Sequence, residues 1–312
     1  MQREGSPWQG LGVVFLKETM DHLTSARMIV LELLVALAAV VTLSFATEQI
    51  KEVTAEDPFI FLRLFTTSRN QLPSFVVFLS FLVPLMAIGL AFDSVNGEHN
   101  RRTMSRILSQ PIYRDALLFG KFLAGLVTLS IGLVALWLLV IGLGLIRLGV
   151  PPGGEEMARA LVFLMVTIAY AGVWLALAML FSIIFRSAAT AALVTLGIWL
   201  VLTFIWPAMA PAIAVAILPS DPMTVFTGSQ MLARLSPSTL FNEVVVSILN
   251  PEIGSVERLL FLSQTRGAVV GAPLPLGESL LIAWPQIVAL IATTIALFVA
   301  GYVLFQRQEI RA

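Results

Sequence analysis

The sequence predicts an all-α, polytopic membrane protein with six transmembrane helices. Of its 312 residues, 58% are hydrophobic and only 12% are charged, whereas soluble domains carry about 25% charged residues. A water-soluble protein of this size could not cover its surface with so few charges. The composition therefore excludes a globular cytosolic protein, a disordered chain and a nucleic-acid binder that relies on a basic face.

Six apolar segments are long enough to cross a hydrocarbon core, which takes roughly 20 residues of α-helix. Only the first of them contains an Asp, Glu, Lys or Arg, namely Glu32 near its start. The alternating pattern of about 10 residues that is typical of outer-membrane strands is absent, so the spans are predicted to be helices. They cover roughly residues 28–47, 73–92, 122–146, 160–184, 188–206 and 283–305.

Lys and Arg in the short flanks orient the chain, because such residues concentrate on the cytoplasmic side of the membrane. With the N-terminus inside, the cytoplasmic pieces carry about twice the density of basic residues found in the outer pieces. Both termini are therefore predicted to be cytoplasmic, and the chain is expected in the cell inner membrane. The loop between the second and third spans contributes most to this orientation, because it contains five basic residues: Arg101, Arg102, Arg106, Arg114 and Lys121.

Residues 1–27 are predicted to form a cytoplasmic leader that contains a helix over residues 8–26. Apolar side chains recur on one side of this helix at spacings of three and four: Val13, Leu16, Met20 and Leu23. The opposite side carries Glu18, Asp21, His22 and Ser25. The pattern favours an elbow helix that lies in the membrane interface. The alternative is a charged leader that only sets the topology.

Residues 28–206 hold the first five spans, and the loop after the second span combines both signs of charge with an apolar face. A helix over about residues 93–110 places Met104, Ile107 and Leu108 on one side. Such a helix, hung between two spans, suits docking onto another protein. The alternative is an ordinary positive-inside connector, which explains the arginines but neither the apolar face nor the acids Asp93 and Glu98.

Glu32 lies about one turn inside the first predicted span. Ion-coupled transporters commonly place acids or bases inside the membrane, which makes Glu32 a candidate for an inner gate or a contact between helices. The alternative is that its carboxylate reaches interfacial water or pairs with Arg27.

Residues 207–282 are too long for a simple turn and are predicted to form an extracytoplasmic or re-entrant helical cap. Prolines bracket an apolar stretch at 211–219 that is too short to span and suits a re-entrant or surface-lying helix. Ser236 followed by Pro237 is a favourable helix start, and that helix is predicted to run to about Leu249. The sixth span and a cytoplasmic tail occupy residues 283–312.

Catalytic motifs are absent from the sequence. It contains neither a G-x-x-x-x-G-K-[ST] phosphate loop nor H-E-x-x-H, and it has no cysteine. Its two histidines lie in predicted cytoplasmic pieces. The chain is therefore predicted to be non-catalytic and to hold no metal or other cofactor of its own. If ATP drives it, the ATPase must be a separate chain.

Two stretches of the chain resemble the ABC-2-type permeases, the membrane subunits of ATP-driven transporters. One runs from Ala91-Phe92-Asp93 through Gly97-Glu98 to Gly120-Lys121, and the other from Leu180-Phe181 through Phe185-Arg186 to Trp199. The leader Phe15-Leu16-Lys17-Glu18 is also similar to the start of these permeases. Within that family the chain is similar to the permeases that serve maturation of nitrous oxide reductase and to their relatives.

The resemblance implies a dimer, formed with a second copy or a related permease, above a dimer of ABC ATPase subunits that bind ATP and Mg. It identifies residues 93–110 as the coupling helix that docks onto the ATPase. The implied coupling residues are Asp93, Gly97, Glu98, Arg101, Arg102 and Arg106.

Hydrolysis of ATP by the partner would then drive substrate export or mechanical signalling across the membrane. The alternative function is a stand-alone secondary transporter or channel. An extracytoplasmic accessory protein is a further implied partner, besides the lipid bilayer, and no nucleic-acid partner is expected.

Overall fold

A computed structural model describes residue 8 and residues 10–50, 59–68, 73–100, 113–219, 221–250 and 274–307. Across these ranges the chain is helical and forms no β-strand. Six helices are long and apolar enough to cross a membrane. The structure thus confirms the predicted all-α fold with six spans.

The long helices are α2 (Ala26–Ile50), α4 (Phe75–Ala91), α6 (Arg114–Leu148), α7 (Gly154–Ile184), α8 (Ala188–Leu200), which continues into α9 (Trp206–Ile217), and α12 (Leu276–Arg307). The shorter helices are α1 (Leu11–Leu23), α3 (Arg63–Thr66), α5 (Asn96–Asn100), α10 (Pro222–Ala233) and α11 (Pro237–Leu249).

Successive spans run in opposite directions, so their ends fall on two faces of the bundle. The face with α1 and α5, which we call the α1 face, also holds the start of α6 and the end of α12, where Tyr302 Oη donates to Asp115 Oδ1 at 3.0 Å. The other face, the α3 face, holds the starts of α7 and α12, where Arg159 Nη1 donates to Ser279 Oγ at 3.3 Å.

Helix α7 forms the centre of the bundle and packs against α4, α6, α11 and α12. Its Tyr170 and Trp174 are fully buried, and the Tyr170 ring stacks on Phe241 of α11 with the centroids 4.4 Å apart. Helices α2, α8 and α12 instead leave large apolar side chains exposed. Lipid tails are as apolar as a protein core, so such exposure is inexpensive in a membrane.

The helix of the predicted fifth span does not end at residue 206. Helix α8 passes through a π-helical turn at Val201–Ile205 directly into α9. Pro207 has no N–H to donate to the preceding turn, and the wider π-helical turn accommodates this loss without a break. The apolar stretch predicted at 211–219 is therefore, up to Ile217, part of this continuous helix rather than a separate helix.

Helices α10 and α11 form a hairpin that returns to the middle of the bundle. Trp206 Nε1 donates to Leu232 O at 2.7 Å, which places the end of α10 beside the start of α9. The start of α11 lies halfway along α7, where Ser238 Oγ is 2.9 Å from Tyr170 Oη. The end of α11 lies near the start of α7, where Arg159 donates to Ile248 O at 2.8 Å. That this hairpin belongs to an extracytoplasmic cap stays a prediction.

Helix α1 packs on α6 through the side opposite to its apolar stripe. Val14 and Glu18 are buried, and a Cβ on Gly120 of α6 would lie only 2.8 Å from Val14 Cγ1. The stripe itself points away from the protein, because all its members are exposed: Val13, Leu16, Met20 and Leu23. A location of this stripe in the membrane interface stays a prediction.

Candidate coupling site

Five charged residues from different elements meet on the α1 face, and we call them the coupling cluster. Glu18 belongs to α1, Arg27 to α2, Glu98 to α5 and Lys121 to α6, while Asp93 lies in the turn between α4 and α5. The cluster therefore links four helices around the loop that the sequence predicts to be a docking element.

Lys121 is the centre of the cluster. Its side chain is only 4% exposed, and its Nζ lies 2.7 Å from Glu98 Oε1 and 3.1 Å from Glu18 Oε1. The two carboxylates come from α5 and α1, so the ammonium group holds both helices to the start of α6. A buried cation of this kind is stable only while its partners are present, because an uncompensated charge inside a protein is costly.

Glu18 is paired on a second side by Lys17, whose Nζ lies 2.9 Å from Glu18 Oε1. Burial alone raises the pKa of Glu18, but Lys121 and Lys17 outweigh it, so the pKa of this carboxyl lies below its ordinary value. Glu18 is consequently ionised at neutral pH, as its role as an anionic partner of Lys121 requires.

Asp93 forms a more exposed ion pair with Arg27, at 2.9 Å between Oδ2 and Nη2. The guanidinium group also lies over the ring of Phe92, 5.3 Å from its centroid. Because Arg27 is engaged in this way, the structure does not show the alternative in which Arg27 pairs with Glu32. Exposed pairs contribute little to stability, so this contact orients the turn more than it strengthens it.

Helix α5 is anchored on the end of α7. Ser182 Oγ accepts from the backbone N–H groups of Val95 at 3.0 Å and Asn96 at 3.2 Å. The Asn96 side chain donates to Phe185 O at 3.2 Å, and the Asn100 side chain donates to Arg186 O at 3.0 Å. The first N–H groups of a helix lack partners within it, and here Ser182 supplies one. The short α5 is thus fixed to the link between α7 and α8.

The structure brings together some of the sequence-predicted coupling residues and leaves others outside its scope. Asp93 and Glu98 lie in the coupling cluster, whereas Arg101, Arg102 and Arg106 fall outside the described residues. Gly97 has no steric requirement for glycine, since a Cβ there would meet Asp93 Cβ at an ordinary 3.6 Å. A special role for Gly97 stays a prediction.

Sequence reasoning missed the partners that hold the predicted residues in place. The sequence places Glu18 on the polar side of α1 and Lys121 among the basic residues before the third span, and no local pattern distinguishes Ser182. Phe185 and Arg186 lie in one of the family-like stretches, which was the only signal that pointed to their end of α7. The pairings themselves join residues up to 103 positions apart along the chain, as in Glu18–Lys121, and no local pattern predicts them.

Glu32 lies away from the coupling cluster, between α2 and α6. It is half-exposed, and its carboxylate sits against Gly132 of α6. Among the described residues it makes neither a hydrogen bond nor an ion pair. It does not take part in the network that holds α5.

The chain is similar to known transporter proteins over most of its length. The model of the family described as ABC-2 family transporter protein matches residues 13–310. A probable ABC transporter permease protein NosY from Pseudomonas aeruginosa is 28% identical over 270 residues, which cover 85% of this chain and 86% of the relative. A protein of the same description from Stutzerimonas stutzeri is 26% identical over 257 residues, 78% of this chain and 82% of the relative.

Proposed function

The chain belongs to the ABC-2 transporter family, and we propose that it is the permease subunit that couples ATP hydrolysis by a separate ATPase to work across the cell inner membrane. In this proposal the chain itself is non-catalytic, and ATP and Mg bind to the partner. The work is either export of a substrate or transmission of a mechanical signal to the other side.

The observation that carries the proposal is the attachment of α5. Glu98 of α5 is linked through Lys121 to α6 and α1, and Asp93 beside α5 is linked to α2 through Arg27. Ser182 and the backbone of Phe185 tie the same short helix to α7. A displacement of α5 by a docked protein therefore acts on several spans at once, since packed helices move as rigid elements.

The distribution of charge supports a cytoplasmic location of the α1 face. Basic residues at the ends of the described helices are more numerous on that face than on the α3 face, which matches the positive-inside rule. On the α1 face they are Lys17, Arg27, Arg114, Lys121, Arg186 and Arg307; on the α3 face they are Arg63, Arg147 and Arg159, with Arg234 at the end of α10. Both termini and α5 would then face the ATPase.

Three further partners complete the proposal. A second copy of the chain, or a related permease, packs against exposed apolar helices such as α2 and α8. The exposed stripe of α1 lies in the lipid interface, where an amphipathic helix buries its apolar side. Residues 207–282 offer a contact for an extracytoplasmic accessory protein.

The first experiment is gentle detergent extraction of the tagged chain, identification of the proteins that accompany it, and an ATPase assay on the complex. We expect an ABC ATPase in a one-to-one ratio. Glu98→Gln keeps the size of the side chain but removes its charge from Lys121, and should reduce the coupling of hydrolysis to the permease by about tenfold, a change of about 1.4 kcal/mol.

Asp221→Asn is the matched control, because Asp221 is an exposed cap of α10 and Asn caps a helix equally well. Equal effects of Glu98→Gln and Asp221→Asn would contradict the coupling role of α5. A chain without an ATPase that moves solute in liposomes would contradict the proposal and favour the secondary transporter. A complex that hydrolyses ATP but moves no solute would favour mechanical signalling over export.

A further inference from the structure

Glu32 is an acid inside a membrane-spanning helix. It lies six residues beyond Ala26, the first residue of α2, which is about 9 Å along the helix axis at 1.5 Å per residue. The predicted first span contains no other Asp, Glu, Lys or Arg, and the other predicted spans contain none. A carboxylate at this depth is costly unless a partner or water compensates its charge.

The described part of the chain offers Glu32 no such partner. It makes no hydrogen bond or ion pair there, and Arg27, five residues earlier, is engaged by Asp93 at 2.9 Å. A second copy of the chain brings no cation to this depth either, because none of the predicted spans contains Lys or Arg. A ligand that carries a cation can therefore supply the partner that the described residues do not.

Helix α6 is shaped to receive the carboxylate. Glu32 lies against Gly132, where an added Cβ would collide with Glu32 Oε1 and lie 3.2 Å from its Cδ and 3.5 Å from Met28 Cε. Any residue with a side chain at 132 would displace the acid. The other side of Glu32 is open, since its neighbours Ile29 and Leu33 on α2 are exposed. The carboxylate is thus held in a notch and accessible from the bilayer.

We infer that Glu32 and Gly132 form a membrane-embedded site that binds the ammonium group of an amphipathic amine. An ammonium group donates charge-assisted hydrogen bonds to a carboxylate, and its alkyl chain lies along the exposed apolar side of α2. The amine is either a diffusing molecule or the headgroup of an amino lipid. That the amine is a transported substrate rests on the proposed function, whereas its binding to the chain does not require the ATPase.

The test measures equilibrium binding of radiolabelled dodecylammonium to the full chain in nanodiscs of digalactosyldiacylglycerol, a lipid without an amine or a net charge. Dodecanol is the neutral probe of the same chain length, and empty nanodiscs give the background. We expect Glu32→Gln to weaken binding of dodecylammonium by about tenfold or more, the loss of one charge-assisted hydrogen bond, with binding of dodecanol unchanged.

A second pair of variants tests the notch without touching the charge. Gly132→Ala should weaken binding of dodecylammonium, because its Cβ displaces the carboxylate. Gly142→Ala is the matched control on the same helix, since a Cβ there meets nothing within 4 Å. Size-exclusion elution of each variant checks that it is folded.

Equal affinity of the wild type and Glu32→Gln, or equal effects of Gly132→Ala and Gly142→Ala, would overturn the inference. Competition by added phosphatidylethanolamine would support the site and identify the lipid amine as its occupant, whereas no competition would support it with a diffusing amine. If no ATPase accompanies the chain but dodecylammonium still binds through Glu32, the site stands and the proposed function falls.

Discussion

Among the described residues, each face of the bundle contains one deeply buried cation, and the two are held in different ways. On the α1 face, Lys121 is 4% exposed and contacts carboxylates of Glu18 and Glu98. On the α3 face, the Arg159 side chain is completely buried. It contacts Glu155 on its own helix at 2.7 Å, and its other acceptors are Ile248 O, Leu274 O and Ser279 Oγ.

The difference indicates that Arg159 holds its helices in a fixed arrangement, whereas the arrangement around Lys121 depends on the charge of its partners. The acceptors of Arg159 outside its own helix are neutral groups, so the end of α11 and the start of α12 are held whatever the charge of other side chains. The planar guanidinium group suits such a divided set of acceptors. Lys121 depends on two ionised side chains of separate elements, so any change in either carboxylate alters how α1 and α5 are held.

Arg159→Met should have the largest effect on stability. It leaves Ile248 O and Leu274 O without their donor, and each buried acceptor left unsatisfied costs about 1–3 kcal/mol. Glu155 is 46% exposed, so water solvates its carboxylate in the variant. The free energy of unfolding in mixed micelles measures this loss. Arg147→Met, which changes an exposed residue, is the control. A similar loss of stability in both variants would contradict the stabilising role of Arg159.

Lys121→Met should rank second, with a loss of about 3 kcal/mol, because it removes the buried cation that Glu18 and Glu98 share, while Lys17 still pairs with Glu18. Glu98→Gln in the same chain should recover part of that loss, whereas no neutral replacement near Arg159 should do so. The double-mutant cycle of Lys121 and Glu98 measures their coupling energy. A coupling energy near zero would contradict the dependence of Lys121 on its carboxylate partners, and with it the difference from Arg159.

Gly120→Ala should separate α1 from the coupling cluster by steric means. Its Cβ would lie 2.8 Å from Val14 Cγ1 and 3.4 Å from the backbone N of Phe15, and overpacking of this kind costs about 1–3 kcal/mol. Protease sensitivity of the leader and the free energy of unfolding both report it. Gly142→Ala, with open space around its Cβ, should change neither.

Acidification should weaken the α1 face selectively. Burial lowers the pKa of His22 from its ordinary 6.5 in a setting that includes Glu18, Asp21, Asp93 and Lys121. Folding therefore disfavours the protonated imidazole, and stability falls as the pH drops below 6.5. The pKa of Glu18 also lies below its ordinary 4.5, so its contribution is complete above 4.5 and is lost as the pH falls further.

The pH dependence of unfolding tests this in two variants. His22→Gln should flatten the upper part of the curve, and Glu18→Gln the lower part. Variants of Arg159 should keep the shape of the wild-type curve, because most of the partners of Arg159 are neutral. A curve that keeps its shape in His22→Gln and Glu18→Gln would contradict the assignment.

Arg27→Ala should have the smallest effect, within about 1 kcal/mol, since its pair with Asp93 is exposed and exposed pairs contribute little. Its loss should shrink further at high salt, where exposed charges are screened. A loss comparable with that of Lys121→Met would mean that the whole cluster, rather than Lys121 alone, holds α5.

Much of the outline of the molecule is predictable from local sequence. The six spans follow from apolar runs of sufficient length, and α11 begins at Pro237 after the N-cap Ser236, where the local signals are those of a helix start. The continuation of the fifth span beyond residue 206 is not predictable in this way, because the helix passes through a π-helical turn at Val201–Ile205 and accommodates Pro207 and Pro211 without ending.

The candidate site was predictable only in part. Asp93 and Glu98 stand out as acids beside a span, in a stretch that resembles a known family. Their partners Arg27 and Lys121 lie 66 and 23 residues away along the chain, and no local spacing links them. The role of Gly132 is likewise not predictable from local sequence, in which it is one of several glycines in a span. Only the structure places the Glu32 carboxylate beside it.

The sequence by itself determined the class of the protein, the number of spans and the positions of its few charges, because the cost of burying polar groups in lipid is strict and local. Tertiary structure decided which face of each helix is buried, since residues that face lipid and residues that face protein are equally apolar. It also decided which charges meet, because ion pairs such as Glu98–Lys121 join elements whose separation in space the chain order does not fix.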